Sequence, residues 1–311
     1  MRTAFIETLF ELAKQDERIM LIVGDLGFRV VTPFMEQLPR QFLNAGVAEQ
    51  NMTAMAAGMA LSGKIVFTYS IANFPTLRCL EQVRNDVCYH RANVKIVSVG
   101  AGFAYGPLGV THHATEDMAV MRALPGMVVV APGDPVETRA ATRAITVYPG
   151  PCYLRLGKAG EPNVHQAAID FELGKAICLR EGNDATLIST GGLVGATVRA
   201  AQQLADEGIE TRVLSMHTLK PLDTEAVLAA ARETRAIVTI EEHSIVGGLG
   251  SAVAEVLAET DGAKVAFKRI GLPSAFSAHF GSQAYLQACH GLTGEAISKC
   301  VAGVLQTVTR G

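Results

Sequence analysis

Along the chain, short runs of β-branched and apolar residues alternate with stretches whose apolar positions recur every three or four residues. The runs IMLIVG (19–24), KIVFTY (64–69), VKIVSVG (94–100), MVVVAP (127–132) and CYLRL (152–156) read as strands. Helical periodicity falls between them, over 3–15, 48–62, 75–90, 116–123 and 134–147. Strands alternating with helices predict a parallel sheet covered on both faces. Residues 157–172 carry Gly and Pro without a clear period and predict a linker. Beyond it the pattern restarts, with strands ATLIST (185–190), ETRVLSM (210–216), RAIVTIEEH (235–243) and KVAFKRIG (264–271). Helices are predicted over 193–207, 223–233 and 248–260. The expected fold class is α/β, with two parallel-sheet-based domains over residues 1–165 and 173–311.

Composition narrows the function. A chain of 311 residues with 49% hydrophobic content has material for two sizeable cores. Its net charge of −3 leaves no electrostatic footprint for nucleic acid or an acidic membrane. No apolar run approaches the ~18 residues of a membrane span, and the first residues lack the apolar core of a signal peptide. The six cysteines form no CxxC pair and no metal spacing, so they read as thiols of a reducing compartment. A soluble cytoplasmic protein is expected.

Several residues then stand out. Glu49 is the one acid in GVAEQNMTAMAAGMALSG (46–63), whose many small residues suit close helix packing. An acid at that place also serves a helix dipole. His112 and His113 lie in GVTHHATEDM; adjacent histidines do not share a helix face, so they make a poor metal pair. Arg155 stands near the carboxyl end of a predicted strand, where open α/β sheets bind ligands. The turn GGLGS (247–251) opens a helix and suits either tight packing or a phosphate. Tyr69 and Phe74 bracket an aromatic stretch that suits a core or a ring-stacking site.

Taken in order, GVAEQ, FTYSIANFPTLRCLEQVRNDV, the long segment VKIVSVGAGFAYGPLGVTHHATEDMAVMRALPGMVVVAPGDPVE and PCYLRLGK resemble the thiamine-diphosphate enzymes of the transketolase family. TIEEHSIVGGLGSAVAEVL resembles the same family's C-terminal domain. The resemblance spans nearly the whole chain and implies a pyrimidine-binding domain followed by a C-terminal domain.

It also implies roles. Glu49 matches the glutamate that hydrogen-bonds N1′ of the cofactor's aminopyrimidine, favouring the tautomer that takes the proton from C2. Burial disfavours the charged form of a carboxyl, which suits sharing a proton with a ring nitrogen; the cofactor then carries the hard chemistry. Tyr69 and Phe74 are the expected aromatic contacts to the pyrimidine, with Phe67 in reserve, and Asp25 is expected near the cofactor. His112 matches a histidine that reaches the substrate's oxygens and serves proton transfer, with His113 flanking it. Arg155 is expected to hold a substrate phosphate, and Arg78 to contact substrate.

Two positions depart from the family pattern: Leu108 replaces an Asp that reads a substrate hydroxyl, and Gly100 replaces a common histidine. The diphosphate-binding GDG motif with its following Asn is missing. The resemblance therefore implies the second subunit of a split transketolase acting on sugar phosphates. Its thiamine diphosphate and Mg2+ would be held with a separately encoded N-terminal subunit, in an α2β2 assembly. The alternatives are a 2-oxoacid dehydrogenase E1 β or deoxyxylulose-phosphate-synthase-like subunit, and a non-catalytic assembly partner.

Overall fold

The structure is a computed structural model and describes residues 1–262 and 265–308. Among these residues the first half contributes strands β1 (Ile19–Val23), β2 (Phe42–Asn44), β3 (Ile65–Ile71), β4 (Val94–Val99), β5 (Val128–Val130) and β6 (Cys152–Leu156). The second contributes β7 (Ile177–Arg180), β8 (Ala185–Ser189), β9 (Thr211–Ser215), β10 (Thr218–Lys220), β11 (Ala236–Ser244) and β12 (Ala266–Leu272). The helices of the first half are α1 (Arg2–Ala13), α2 (Thr32–Gln37), α3 (Glu49–Leu61), α4 (Leu80–Gln82, continued as a π-helix over Val83–Tyr89), α5 (Asp117–Ala123) and α6 (Pro135–Val147). Those of the second are α7 (Val194–Asp206), α8 (Thr224–Glu233), α9 (Leu249–Glu259), α10 (Gln283–Cys289) and α11 (Gly294–Val308).

Two sheets result. The first runs β10-β5-β6-β4-β3-β1-β2 and the second β12-β11-β8-β9-β7. All pairings are parallel except β10 with β5 and β7 with β9, so each sheet is mixed at one edge. β1, β4 and β6 are buried at every position, as strands covered by helices on both faces must be. β10 belongs by sequence to the second half, yet it completes the first sheet; the two halves are stitched at that edge. Short β2, β7 and β10, and helices α2, α10 and α11, are additions to the expected pattern. The helix expected over 75–90 begins only at Leu80. Of the strand expected over 264–271, residue 264 lies outside the described residues.

Local chemistry explains the ends of elements that matter. α6 starts with Pro135 at its first position, and Asp134 accepts the Glu137 N–H at 2.8 Å. Glu137 reaches back to the Gly133 N–H at 2.6 Å, a reciprocal cap. The second Asp134 oxygen accepts the N–H groups of Val164 and His165, which fastens the segment between the sheets to the first domain. α3 packs on β3 through Met52, Thr53, Ala56 and Ala57. Ala54 and Gly58 face outward, so those two small residues do not serve close packing within the chain.

Candidate functional site

In open parallel sheets, side chains at the carboxyl ends of the strands converge. Here β1 ends beside Gly24, β3 leads into residues 72–79, β4 into 100–116, and β6 into 157–162. Glu49 sits in the first turn of α3 at the same edge and is 2% exposed. Its Oε2 accepts from Arg78 Nη1 at 2.8 Å. The Arg78 guanidinium lies 4.7 Å from the centre of the Phe74 ring. Phe74 meets His112 edge-on at 5.3 Å, and His112 lies 6.2 Å from Tyr105. Lys158 Nζ stands 4.8 Å over the Tyr105 ring. Glu49, Arg78, Phe74, His112, Tyr105 and Lys158 thus form one line of contacts across the strand ends.

The Glu49 carboxylate is only half used. No donor among the described residues reaches its Oε1. A Cβ on residue 24 would stand 3.7 Å from that oxygen and 3.4 Å from the buried, unpartnered Ser70 Oγ. Glycine at 24 therefore leaves a small polar recess between Glu49 and Ser70. The free Oε1 is an acceptor of the kind that a ring nitrogen of an aminopyrimidine would bond. No group of three His, Cys, Asp or Glu side chains able to hold a metal occurs among the described residues.

His112 is carried by a loop, with Nδ1 and Thr111 Oγ1 2.9 Å apart. Partial burial, and then neighbouring His113, lower its pKa, so the ring is neutral at pH 7. Asn73 donates to the carbonyls of His113 and Thr111 at 2.7 and 3.2 Å, tying the Phe74 segment to this loop. Gly100 has φ +102, and a Cβ there would stand 2.3 Å from the Tyr105 ring. The glycine thus lets Tyr105 fill the space a larger residue would take.

Three expected site residues lie elsewhere. Tyr69 is fully buried in β3, stacked on Phe5 at 6.1 Å, and is a core residue rather than an aromatic contact for a ligand; Phe67 lies against the same Phe5. Asp25 stays at the strand edge but outside the line of contacts, where its carboxylate accepts from Asn44 at 2.9 Å. Arg155 is 2% exposed and directs two of its nitrogens inside the protein: Nε on Asp117 at 2.7 Å, Nη2 on the carbonyls of Ala114 and Glu242 at 2.8 and 3.1 Å. The reason is strand alternation: Tyr153 and Arg155 project to one face of β6 and both reach Asp117. Lys158, beyond the strand's end, is an exposed cation at this rim. The GGLGS turn is likewise satisfied internally, because Glu241 accepts the N–H groups of Leu249 and Gly250 at 2.7 and 2.8 Å. Arg78 enters the site as the ion partner of Glu49, a pairing 29 residues apart that the local sequence does not reveal. Lys158 and Tyr105 were open to detection as a cation and an aromatic beside expected strand ends.

The chain is similar along its length to known families and proteins. Residues 1–161 match the transketolase pyrimidine-binding domain family, and residues 174–297 the transketolase C-terminal domain family. The chain is 43% identical over 300 residues to an apulose-4-phosphate transketolase subunit of Phocaeicola vulgatus, covering 96% of this chain and 95% of that one. It is 41% identical to a 6-deoxy-6-sulfo-D-fructose transketolase subunit of a Clostridium species, over 96% and 92% of the two chains. A solved split-gene transketolase, described as an inactive β4 tetramer, superimposes with a TM-score of 0.89 at 39% identity, over 98% of this chain and 97% of that one. With both of its domains matched and subunit-length relatives aligned end to end, this chain belongs to the transketolase family.

Proposed function

We propose that this chain is the second subunit of a two-chain, thiamine-diphosphate-dependent transketolase that moves a ketol unit between sugar phosphates. The observation that carries this reading is Glu49: a buried carboxylate with one oxygen held by Arg78 and the other facing a recess. When bound, the cofactor supplies a nucleophilic carbon and an electron sink. Arg78 fixes Oε2 and so the carboxylate plane, and Glu49 Oε1 would hold or return a proton at a ring nitrogen of the cofactor's pyrimidine. Phe74, braced by the Arg78 guanidinium, would stand as the aromatic wall of the cofactor's site. Neutral His112 presents a ring nitrogen to the substrate's oxygens and moves protons there.

Lys158, not Arg155, is the cation for the far end of the substrate. Transketolase relatives named for a sugar phosphate and for a sulfo-sugar share an anionic terminus, which one exposed ammonium reads without regard to its chemistry. Leu108, 54% exposed on the same loop, offers no acid to a substrate hydroxyl.

A separately encoded partner with the diphosphate-binding domain supplies the Mg2+ ligands, in a cytoplasmic α2β2 assembly. The relatives named as transketolase subunits support a separately encoded partner. The test is reconstitution. The purified chain with Mg2+ and thiamine diphosphate should transfer no ketol unit, and adding the partner should restore transfer from a ketose phosphate. Full transfer by the chain alone would overturn the split reading.

A further inference from the structure

The loop that carries His112 opens and closes at one point. Gly102 and Ala114 exchange backbone hydrogen bonds at 3.0 and 2.9 Å, pinching residues 102–114 into a closed loop. Both sides of the pinch are gripped from within. Arg155 Nη2 holds the Ala114 carbonyl at 2.8 Å and the Glu242 carbonyl at 3.1 Å. Glu242 Oε1 accepts the Phe103 N–H at 2.8 Å. Glu242 lies on β11 of the second domain and is 4% exposed.

Among the described residues no cation bonds directly to its carboxylate. Instead Gln283 Nε2 donates at 3.1 and 3.0 Å to its two oxygens, and Gln287 Nε2 donates at 2.8 Å to Oε2. The two glutamines stand four residues apart on one face of α10. The fit at the pinch is tight. Gly102 has φ +56, and a Cβ there would stand 2.6 Å from Glu242 Cγ. Gly106, inside the loop, lies so close to the second domain that a Cβ would meet the Gly281 carbonyl at 2.4 Å. Phe103 then packs edge-on to His113 at 5.0 Å and stacks on His290 at 5.4 Å.

We infer that Glu242, with Arg155, is the positioning residue through which the C-terminal domain sets the place of His112. One carboxylate joins β11, α10 and the base of the loop, so His112's distance from Phe74 depends on a second-domain side chain that touches neither. The inference rests on the proposed role of His112. A side chain displaced by about 1 Å from its productive place loses about 10²-fold in rate.

The test has two arms. In the isolated chain, Glu242→Ala should speed amide hydrogen exchange across 103–113 while β8, β9 and β11 stay protected. Glu242→Gln, which keeps an acceptor for Phe103, should restore most of the protection, and the milder Gln287→Ala should loosen the same segment less. In the reconstituted enzyme, Glu242→Ala should lower kcat by about 10²-fold with the cofactor's apparent affinity unchanged, and Glu242→Gln should recover most of it. Unchanged exchange over 103–113, or exchange raised equally throughout both domains, would overturn the inference. If Glu242→Ala does not fold, Glu242→Gln and Gln287→Ala carry the measurement. Wild-type complex without ketol transfer would overturn the proposed function instead, and the exchange arm would still decide this one.

Discussion

Glu49 and Arg78 form an ion pair whose two halves differ in burial, and that difference makes an asymmetric prediction. Glu49 is 2% exposed, whereas the Arg78 side chain is 47% exposed. Glu49→Gln removes a charge but keeps an oxygen for Arg78, which is already half in water. Exposed pairs are worth about 0–1 kcal/mol, so little stability is lost. Arg78→Ala does the reverse: it strips a buried carboxylate of its one protein donor, at about 1–3 kcal/mol. It also removes the guanidinium from the Phe74 face, at about 0.5–1 kcal/mol. Urea unfolding of the isolated chain should therefore rank Arg78→Ala well below Glu49→Gln. Catalysis should rank differently. Glu49→Gln cannot deliver a proton, and losing a positioned proton-transfer group costs about 10²–10⁴-fold. The reconstituted Glu49→Gln enzyme should show slow H/D exchange at the cofactor's C2. Wild-type exchange in Glu49→Gln, together with a stability loss as large as that of Arg78→Ala, would reduce Glu49 to a structural charge.

Three further outcomes are expected. Lys158→Ala in the reconstituted enzyme should raise KM for phosphorylated substrates about tenfold, the low end for a charged hydrogen bond, and leave free sugars nearly untouched; equal effects on both would remove Lys158 from the anion role. Arg155→Ala should cost about 3–5 kcal/mol in urea unfolding, since it leaves buried Asp117 without its cation. Acidification should destabilise the chain, because burial lowers the pKa of both His217 and His243 to about 4, below the ordinary 6.5. The unfolded chain then binds protons first, and stability falls as pH drops from 6.5 towards 4; Glu241, raised by burial from 4.5 to about 7, works in the opposite direction over that range. Urea midpoints at stepped pH should fall less steeply in His217→Gln than in wild type.

The strands were legible because their burial on both faces writes them as unbroken apolar runs, as in β1, β4 and β6. Short edge strands such as β2 and β10 carry too few residues to show a period. β10 is also committed to a sheet begun by the other half of the chain, a choice made only by tertiary pairing. α11 did carry a local signal, since Ile297, Val301 and Leu305 recur every four residues and all are buried. The site was partly legible for the same reason. Glu49, Phe74, His112 and Arg78 stand beside strand ends that the pattern located, and the fold brings them together. Tyr69 and Arg155 also stand near strand ends, but within the strands, where alternation turns each toward a neighbour inside the protein. One residue of phase on a strand decides between core and cleft, and composition does not specify that phase.

How far each carboxylate is satisfied separates Glu49, the proposed reactive group, from Glu241 and Glu242. Glu241 accepts two backbone N–H groups at the start of α9, and Glu242 accepts from one backbone N–H and two glutamines. These side chains have their donors supplied by the fold, and their work is to hold elements in place. Glu49 is as deeply buried, yet it has one donor on one oxygen. A buried carboxylate kept half-satisfied costs stability, and the surrounding residues preserve that condition rather than relieve it. Gly24 withholds a side chain from the recess, and Ser70 Oγ faces it without a partner. Filling the recess should therefore remove the function, while the smaller entropy of an alanine in the unfolded chain favours the fold by about 0.4–1 kcal/mol. Gly24→Ala places a methyl 3.5 Å from Glu49 Cγ, ordinary contact distance, so folding should survive. Titration of the reconstituted enzyme with thiamine diphosphate should then show weakened binding at unchanged or higher melting temperature. Unimpaired cofactor binding by Gly24→Ala would show that the pyrimidine does not use this recess.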